Sequence, residues 1–430
     1  MPDLEAYTML LPSLVFYPRI HTTVQSIIFL VLLLTRHAYG FWILAHSSLT
    51  IDRLDPIVSP GQVSTHVHTV VGASSFGPTV SGENLLQSKC TTAHVQDDKS
   101  SYWAPQLYYR SENGSFTLVP ILFVNTYYEQ RAGQDGNVSA FPPGLRMVAG
   151  DPTRTTYDDN DPSNKAVNFV CLDYSGTSPE SKEFPKTNCK DGLRAQVTFP
   201  SCWDGKNTDS DDHKSHMSYP EGGNPDNGEC PQSHPIKVIT LFHEWIFDVN
   251  KFEFKDGQKN WVFSYGDDVG YGFHADFVNG WKQDVLEAAI KECTGDLFAN
   301  VQGCAPFVPS INEGVAQGCT IPSQVDEDVG KDHPIDALPG CNSVPMNMDA
   351  TCSNSTTPAI NGSGEASNSA GGSSSMSGAS SGGTATASNT GSDASTGTAG
   401  STTASPGSSS TISNSGSTTA PASMSITGST

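Results

Sequence analysis

The alternation of apolar and polar residues predicts a folded part built mainly of β-strands. Short runs rich in aromatic and β-branched residues recur between clusters of Gly, Pro, Asn and Asp, which is the pattern of strands joined by turns. The runs are Gln106–Arg110, Thr117–Val124, Gln196–Phe199, Ile236–Phe242 and Trp261–Ser264. Many short strands of this kind favour a β-sandwich-like core with long loops and few helices.

One segment has the period of an amphipathic helix. Its apolar residues recur three and four positions apart up to Cys293, and Asn279 is placed to cap its first turn. The apolar stripe consists of Val285, Leu286, Ala289 and Ile290. We therefore expect one helix near the end of the strand-rich region.

The two ends of the chain have a different composition from the middle. Val24–Leu34 is an apolar run of about eleven residues, too short to span a bilayer, with Arg19 before it and Gly40 after it. This predicts a signal peptide over residues 1–40, and an uncleaved anchor is the alternative. From Ser353 to Thr430 the chain is nearly all Ser, Thr, Gly, Ala and Asn, which predicts a disordered, O-glycosylated tail. The globular secreted domain is then residues 41–352.

The cysteines fit an exported protein. The chain has ten, all within the expected globular domain, and an even set in an oxidising compartment predicts five disulfide bridges of unknown pairing. Four Asn-x-Ser/Thr sequons predict a glycoprotein. They begin at Asn113, Asn137, Asn354 and Asn361. The expected fold class is therefore mostly β: a disulfide-braced, sandwich-like core followed by a disordered tail.

The net charge limits the classes of molecule that the protein is expected to bind. The chain has 23 Lys+Arg against 45 Asp+Glu, for a net charge of −22. Such a surface argues against nucleic acid and anionic membrane, and it suits a cation, a basic partner or a neutral polymer. No GxSxG, HExxH, P-loop or dinucleotide fingerprint is present, so those enzyme classes have no support.

Histidines and carboxylates supply the candidate chemistry. His66 and His68 are spaced HxH, so on a strand both imidazoles face one side, as two ligands of one divalent metal must. The alternative to a metal or catalytic role is that each histidine is a structural residue whose ring only makes hydrogen bonds. Candidate catalytic residues are His213, His216, His274, Asp276, Asp204 and Lys206, and candidate binding residues are Trp103, Tyr108, Trp203 and His234.

Successive blocks of the chain resemble a known family. The blocks include Arg53-Leu-Asp-Pro56, His66-Val-His68, Tyr102-Trp103, Asp212-His-Lys-Ser-His-Met217 and Gly272-Phe-His-Ala-Asp276. Over about residues 49–304 the chain resembles the fungal secreted family called domain of unknown function 1996. Members of that family often carry a Ser/Thr-rich tail or carbohydrate-binding WSC modules, and the resemblance implies no particular activity.

The chain departs from the resembled family at two places. Members usually have a cysteine a few residues before the RLDP block, where this chain has His46, and a second one where it has Ala93. The paired loss implies that relatives have a disulfide between these positions. A lost bridge costs a few kcal/mol, so we expect a looser mature N-terminus here.

Two functions remain open from the sequence. The first is a glycosylated protein of the cell wall or cell exterior that binds wall polysaccharide or acts in a surface stress response. The second is a secreted, glycan-active enzyme that uses a His/Asp/Lys cluster, with or without the help of a divalent metal, and aromatic rings that stack on sugars. The convergence of the histidines in one cleft would favour the second.

Overall fold

A computed structural model describes residues 40–133, 136–293, 301–346 and 358–361. Residues 1–39 of the expected signal peptide and nearly all of the expected tail lie outside these ranges. Within them, no helix has the length and apolar character needed to cross a membrane.

Strands make up most of the regular structure, which confirms the mostly β fold class. The strands are β1 (Phe41–His46), β2 (Thr50–Leu54), β3 (Val63–Gly72), β4 (Ser101–Pro105), β5 (Leu107–Arg110), β6 (Phe116–Leu118), β7 (Ile121–Glu129), β8 (Arg146–Gly150), β9 (Val167–Cys171), β10 (Glu180–Ser181), β11 (Leu193–Thr198), β12 (Cys202–Trp203), β13 (Met217–Ser218), β14 (Ile236–Lys237), β15 (Thr240–Phe247), β16 (Trp261–Phe263) and β17 (His274–Val278).

Two antiparallel sheets carry the fold. One has six strands in the order β1-β7-β15-β11-β9-β10, and the other has five in the order β2-β3-β4-β17-β8. Two smaller sheets have the orders β16-β5-β6 and β13-β12-β14.

The main core lies between the two large sheets. Trp42, Tyr128 and Trp245 point inward from the six-stranded sheet, and Tyr102 and Phe277 point inward from the five-stranded sheet, all in one buried cluster. The Tyr102 and Tyr128 hydroxyls are hydrogen-bonded to each other across the core. This packing of two inner faces is a β-sandwich.

The opposite face of the five-stranded sheet is also buried, but by loops. Because strand side chains alternate, the residues next to Tyr102 and Phe277 in sequence point away from the sandwich core. Trp103 and Val278 accordingly belong to a second apolar cluster, together with Phe76 from a loop and Leu85 from a short helix. We call this side the outer face; it carries the candidate site.

Prolines and irregular residues divide two of the predicted strands between sheets. The run Thr117–Val124 contains Pro120, and its two parts pair in different sheets as β6 and β7. Proline has no N–H to donate to a ladder, so it marks the break. The run Ile236–Phe242 is also divided between two sheets, as β14 and β15.

Helices are few and short. They are α1 (Gly82–Leu86), α2 (Pro162–Lys165), α3 (Gln283–Glu292) and α4 (Glu313–Gln317), with 3-10 turns at Val249–Lys251, Val301–Gly303, Val308–Ser310 and Pro339–Cys341. The helix predicted before Cys293 is α3, and it buries Val285, Leu286 and Ala289. The predicted cap was wrong: Lys282 is the N-cap, and Asn279 instead donates its side-chain amide to the Pro142 carbonyl at 2.9 Å.

Disulfides brace the fold as the composition predicted. Four pairs lie in the described ranges: Cys90–Cys319, Cys171–Cys189, Cys202–Cys230 and Cys293–Cys304. Cys341 is disulfide-bonded as well, and none of the described cysteines is free.

Candidate metal centre

The outer face brings His66 and His68 together. Both are on β3, and their ring centroids are 4.3 Å apart. Val70, two residues further on, belongs to the outer cluster, whereas Val71 belongs to the sandwich core. The HxH spacing therefore puts both imidazoles on the outer face, as the period of a strand requires.

β17 adds a second pair by the same alternation. His274 and Asp276 share its outer face, because Ala275 and Phe277 both point into the sandwich core. β4 lies between β3 and β17, and in its registers Pro105 is opposite His68 and Trp103 is opposite Asp276. A polar pair from each strand thus meets on one surface of the sheet.

Glycine allows the close approach of the neighbouring strand. Gly150 of β8 is opposite His274 and has a φ of 85°. A Cβ at this position would lie 2.2 Å from the Phe273 carbonyl oxygen and 2.7 Å from His274 Cα. Only glycine fits here, so β8 can pack directly against the strand that carries His274.

The polar atoms converge closely enough to hold one ion. The Nε2 atoms of His66 and His274 are 3.1 Å apart. The nitrogens of His66, His68 and His274 that could bind a metal lie within 4.8 Å of one another, and so do the corresponding atoms of Asp55, His68 and Asp276. In a tetrahedral zinc site two neighbouring ligand nitrogens are about 3.3 Å apart, which is close to the His66–His274 separation.

Backbone carbonyls fix the tautomers of two of these rings. His68 Nδ1 is 2.9 Å from the Leu54 carbonyl oxygen, and His274 Nδ1 is 2.9 Å from that of Gly272. Because a carbonyl oxygen can only accept, each Nδ1 carries the hydrogen, and each neutral ring keeps its lone pair on Nε2. A second-shell carbonyl bond of this kind is typical of histidines that bind metals.

Several buried atoms of the cluster lack a partner. Among the described residues, none hydrogen-bonds His68 Nε2 or either carboxylate oxygen of Asp276. Both side chains are almost completely buried, with 0% and 1% of their surface exposed. Unpaired buried polar atoms cost roughly 1–3 kcal/mol each, so this arrangement calls for a ligand.

Burial sets the protonation states of the cluster. It lowers the pKa of His68 and of His274 to about 3, and it lowers that of His66 well below its ordinary value. Burial also raises the pKa of Asp55, and it raises that of Asp276 strongly, with the Asp55 charge adding to the effect. The three imidazoles are thus neutral at physiological pH, and a cation would stabilise the two carboxylates.

Asp55 is the member of the cluster that sequence reasoning missed. It follows β2 directly, and its Oδ1 accepts the backbone N–H groups of Ile57 and Val58, both at 3.0 Å. A carboxylate oxygen of Asp55 lies within 4.8 Å of a ring nitrogen of His68 and of a carboxylate oxygen of Asp276. The sequence signal for Asp55 is its position at a strand end inside the Arg53–Pro56 block. An aspartate at such a position is equally typical of a turn.

The cluster opens into a cleft of about 480 Å³. Asp55, His66, His274 and Asp276 line it, whereas His68 lies behind them. On the other side the lining comes from the loop after β12 and from the Tyr265 turn. The lining residues on this side are His213, Lys214 and Tyr265.

Loop residues of the cleft are held by their own contacts. His213 adopts a φ of 56°, and its Nδ1 is 2.7 Å from Asp209 Oδ1. The Lys214 ammonium donates to the Gly150 carbonyl oxygen at 2.7 Å. Among the sequence candidates, His213 therefore shares the cleft with His66, His274 and Asp276 without touching them.

A second cavity of about 710 Å³ adjoins the cleft. The two share Val148, Asp151, Thr153 and Lys214 in their linings. The second cavity continues over the loop that leads from β8 to α2.

The structure places four further candidates away from the cluster. Asp204 accepts the backbone N–H of Lys206 at 2.8 Å in an exposed turn, and neither residue lines the cleft. His216 is enclosed by Ser210 Oγ at 2.9 Å and the Arg146 carbonyl oxygen at 2.7 Å. His234 Nε2 is 3.0 Å from the Ser215 carbonyl oxygen. These contacts are those of structural residues in turns and loops.

The expected sugar-stacking role of the aromatic candidates fails for two of the three. Trp103 and Tyr108 are both 0% exposed, so neither ring can stack on a ligand. Trp103 packs on Phe76 with ring centroids 5.3 Å apart. Trp203 is half-buried, and its indole N–H donates to the Asn207 carbonyl oxygen at 2.6 Å, outside both cavities.

The comparisons with known proteins give a family and nothing closer. A family model described as a domain of unknown function, DUF1996, matches residues 55–281. The chain belongs to the DUF1996 family. No curated protein and no solved structure matches. The DUF1996 match begins at Asp55 and contains His66, His68, His274 and Asp276, so the whole cluster lies within the family domain.

Proposed function

We propose that this DUF1996 protein is an extracellular, metal-dependent enzyme. In this proposal His66, His68 and His274 would hold one divalent first-row ion such as Zn²⁺, which leaves its fourth position open to water, and the cleft hydrolyses a bond in a cell-wall polysaccharide. Its chemistry is metal-assisted hydrolysis, in which water is the second substrate.

The observation that carries the proposal is the set of unpartnered ligand atoms. His68 Nε2 and both carboxylate oxygens of Asp276 are buried without a partner among the described residues, and His66 and Asp276 line a solvent-connected cleft. Three neutral imidazoles are a donor set that Zn²⁺ uses in catalytic sites, with a water as the fourth ligand. A purely structural cluster would instead pair these atoms with one another.

The residues around the cluster suit hydrolysis. A divalent ion lowers the pKa of a water bound to it towards neutrality. Asp55 has one carboxylate oxygen fixed by two backbone N–H groups, and its carboxylate, within 4.8 Å of a His68 ring nitrogen, would serve as the base for such a water. Lys214, at the cleft wall, supplies a positive charge for a developing oxyanion.

The cellular setting is proposed from the chain's other features. Four disulfides in the described ranges suit an oxidising compartment, as does the expected signal peptide. Asn113 and Asn137, the first two sequons, are both exposed and can accept a glycan. We propose the cell wall or its surroundings as the place of action.

A second function is supported by the adjoining cavity. Its polar lining, over about 710 Å³, is suited to binding a wall polysaccharide without turnover. In that case the ion would hold the ligand or the loops in place, and no product would form.

One experiment separates the two. Purified protein is stripped with a chelator, reloaded with Zn²⁺, Mn²⁺ or Co²⁺, and incubated with a panel of wall glycans. The enzyme predicts soluble product from reloaded wild type and from His333→Ala, a surface control, but not from stripped protein or from His274→Ala. Equal product from stripped and reloaded protein would rule out the metal's role. Retention on insoluble polymer with no product would favour the binder.

A further inference from the structure

The two cavities are neighbours with shared lining residues. They share Val148, Asp151, Thr153 and Lys214, which lie at the end of β8 and in the loop after β12. Each half alone has the size of a small-molecule site, for which about 300–1,000 Å³ is typical. We call the two cavities together the long groove, the 480 Å³ half its metal end and the 710 Å³ half its distal end.

The distal end is lined mostly by groups that exchange hydrogen bonds. Its side chains include Thr153, Arg154, Thr155, Thr156, Asp158 and Ser163. An apolar ligand would strip water from these groups without offering hydrogen bonds in return, which is costly. The lining therefore selects a ligand that offers many donors and acceptors along its length.

Charge at the distal end argues against an anionic ligand. Asp151, Asp158 and Asp161 outnumber the two cations, Arg154 and Lys214. A chain with a carboxylate or sulfate on each unit would meet net repulsion there. Hydroxyl groups, by contrast, can donate to the carboxylates and accept from the cations.

Part of the distal wall is rigid before any ligand binds. Asp161 caps α2 by accepting the Ser163 backbone N–H at 2.8 Å, and it also accepts the Asn164 amide at 2.6 Å. The Arg154 guanidinium donates to Ser163 Oγ at 3.3 Å. A wall held in this way loses little conformational entropy when it takes up a ligand.

We propose that the long groove binds a neutral, polyhydroxylated chain several sugar units long, with the reacting unit at the metal end and the following units at the distal end. This inference rests on the proposed function, because it takes the metal end as the reacting site. The Lys214 ammonium, held by the Gly150 carbonyl at the junction, also donates a hydrogen bond to the unit crossing from one half to the other.

The test is the dependence of affinity on chain length. Zinc-loaded full chain is titrated with neutral gluco-, manno- and N-acetylglucosamine oligosaccharides, from disaccharide to octasaccharide. For at least one ladder we expect affinity to rise about 10-fold or more with length, which corresponds to about 1.4 kcal/mol. Thr155→Trp, a bulky replacement at an exposed distal position, should remove this gain.

Thr177→Trp, at an exposed position outside the groove, is the matched control and should keep the length dependence. Both variants should bind Zn²⁺ as wild type does, so a failure of the groove is distinct from a failure of the metal site. Zinc binding with no ladder bound, affinity independent of length, or tighter binding of a polyuronate ladder would each overturn the inference. The same titration on stripped protein tests the groove if zinc does not bind.

Discussion

His66 and His274 face each other through their Nε2 atoms at 3.1 Å, although β4 lies between their strands in the sheet. β4 ends at Pro105, opposite His68, and His66 lies beyond that end. His66 Nδ1 can accept the Thr65 hydroxyl at 2.9 Å, so its Nε2 can carry the hydrogen that it donates to His274 Nε2. His274 Nδ1 donates to the Gly272 carbonyl, so His274 Nε2 can only accept. A cation between the two rings lets both nitrogens use their lone pairs.

Replacing His68 should abolish the response to metal without unfolding the protein. In stripped protein, His68→Leu removes an unpartnered buried nitrogen and one hydrogen bond to Leu54, so we expect a net change within about 1 kcal/mol. Wild type should gain about 2.7 kcal/mol when Zn²⁺ is present at 100 times its Kd, and His68→Leu should gain nothing. Thermal melts with and without Zn²⁺ measure both effects.

His216→Leu is the matched control for that experiment. It removes two satisfied hydrogen bonds, to Ser210 and to the Arg146 carbonyl, and should cost roughly 1–3 kcal/mol in stripped and zinc-loaded protein alike. A zinc-dependent stabilisation that survives in His68→Leu but disappears in His216→Leu would place the ion elsewhere.

The pair His46 and Ala93 should accept an engineered disulfide. The two residues are opposite each other in an isolated antiparallel bridge, where Cα atoms are about 4.5–5.5 Å apart. A disulfide requires about 4.4–6.8 Å. The double variant His46→Cys/Ala93→Cys should therefore form a bridge and gain up to about 4 kcal/mol, less the His46 to Thr92 hydrogen bond.

Mass spectrometry and thermal melts check the bridge. The double variant should show no thiol and a higher melting temperature than His46→Cys alone. Two alkylatable thiols in the folded double variant would argue against the inferred loss of a family disulfide at these positions.

Glu129 should make the fold less stable as the pH rises. Burial, together with the hydrogen bond and charge of Asp226, raises the pKa of Glu129 to about 9. The unfolded chain loses this proton near its ordinary value of 4.5, so between about pH 5 and pH 9 the folded state holds more protons and its stability falls with pH. Below that window both states are protonated, and Glu129 contributes no penalty.

Glu129→Gln keeps a neutral side chain at every pH and should remove this slope. Its stability relative to wild type should rise between pH 5 and pH 9, by more than about 1 kcal/mol. Glu112→Gln, at a largely exposed glutamate, is the control and should leave the slope unchanged. Urea unfolding at a series of pH values gives the result, and parallel curves for Glu129→Gln and wild type would contradict it.

The sequence predicted the parts of the site that depend on local periodicity. HxH on β3 puts two imidazoles on one face because side chains of a strand alternate, and the same rule applies to His274 and Asp276 on β17. The sequence could not show that β3 and β17 both flank β4, because this arrangement brings together residues about 200 positions apart in the chain. Sequence therefore proposed two ligands, and the sheet order supplied the rest.

The failures of sequence reasoning have the same physical origin. Trp103 looked available for a ligand, but it faces loop residues such as Phe76 that cover the outer face. Asn279 has the chemistry of a helix cap, yet its amide bonds the Pro142 carbonyl in another loop. Both outcomes depend on long-range loop packing, which no local pattern encodes.

The most direct test of the account is calorimetric titration of stripped protein with Zn²⁺. We expect one ion per chain, with an affinity at least about 100-fold lower in His66→Ala and in His274→Ala, because each removes a ligand. His333→Ala, at an exposed histidine, should bind as wild type does. Zinc binding that is equal in wild type, His66→Ala and His274→Ala, or no binding by any of them, would contradict the convergence of these histidines on one metal ion.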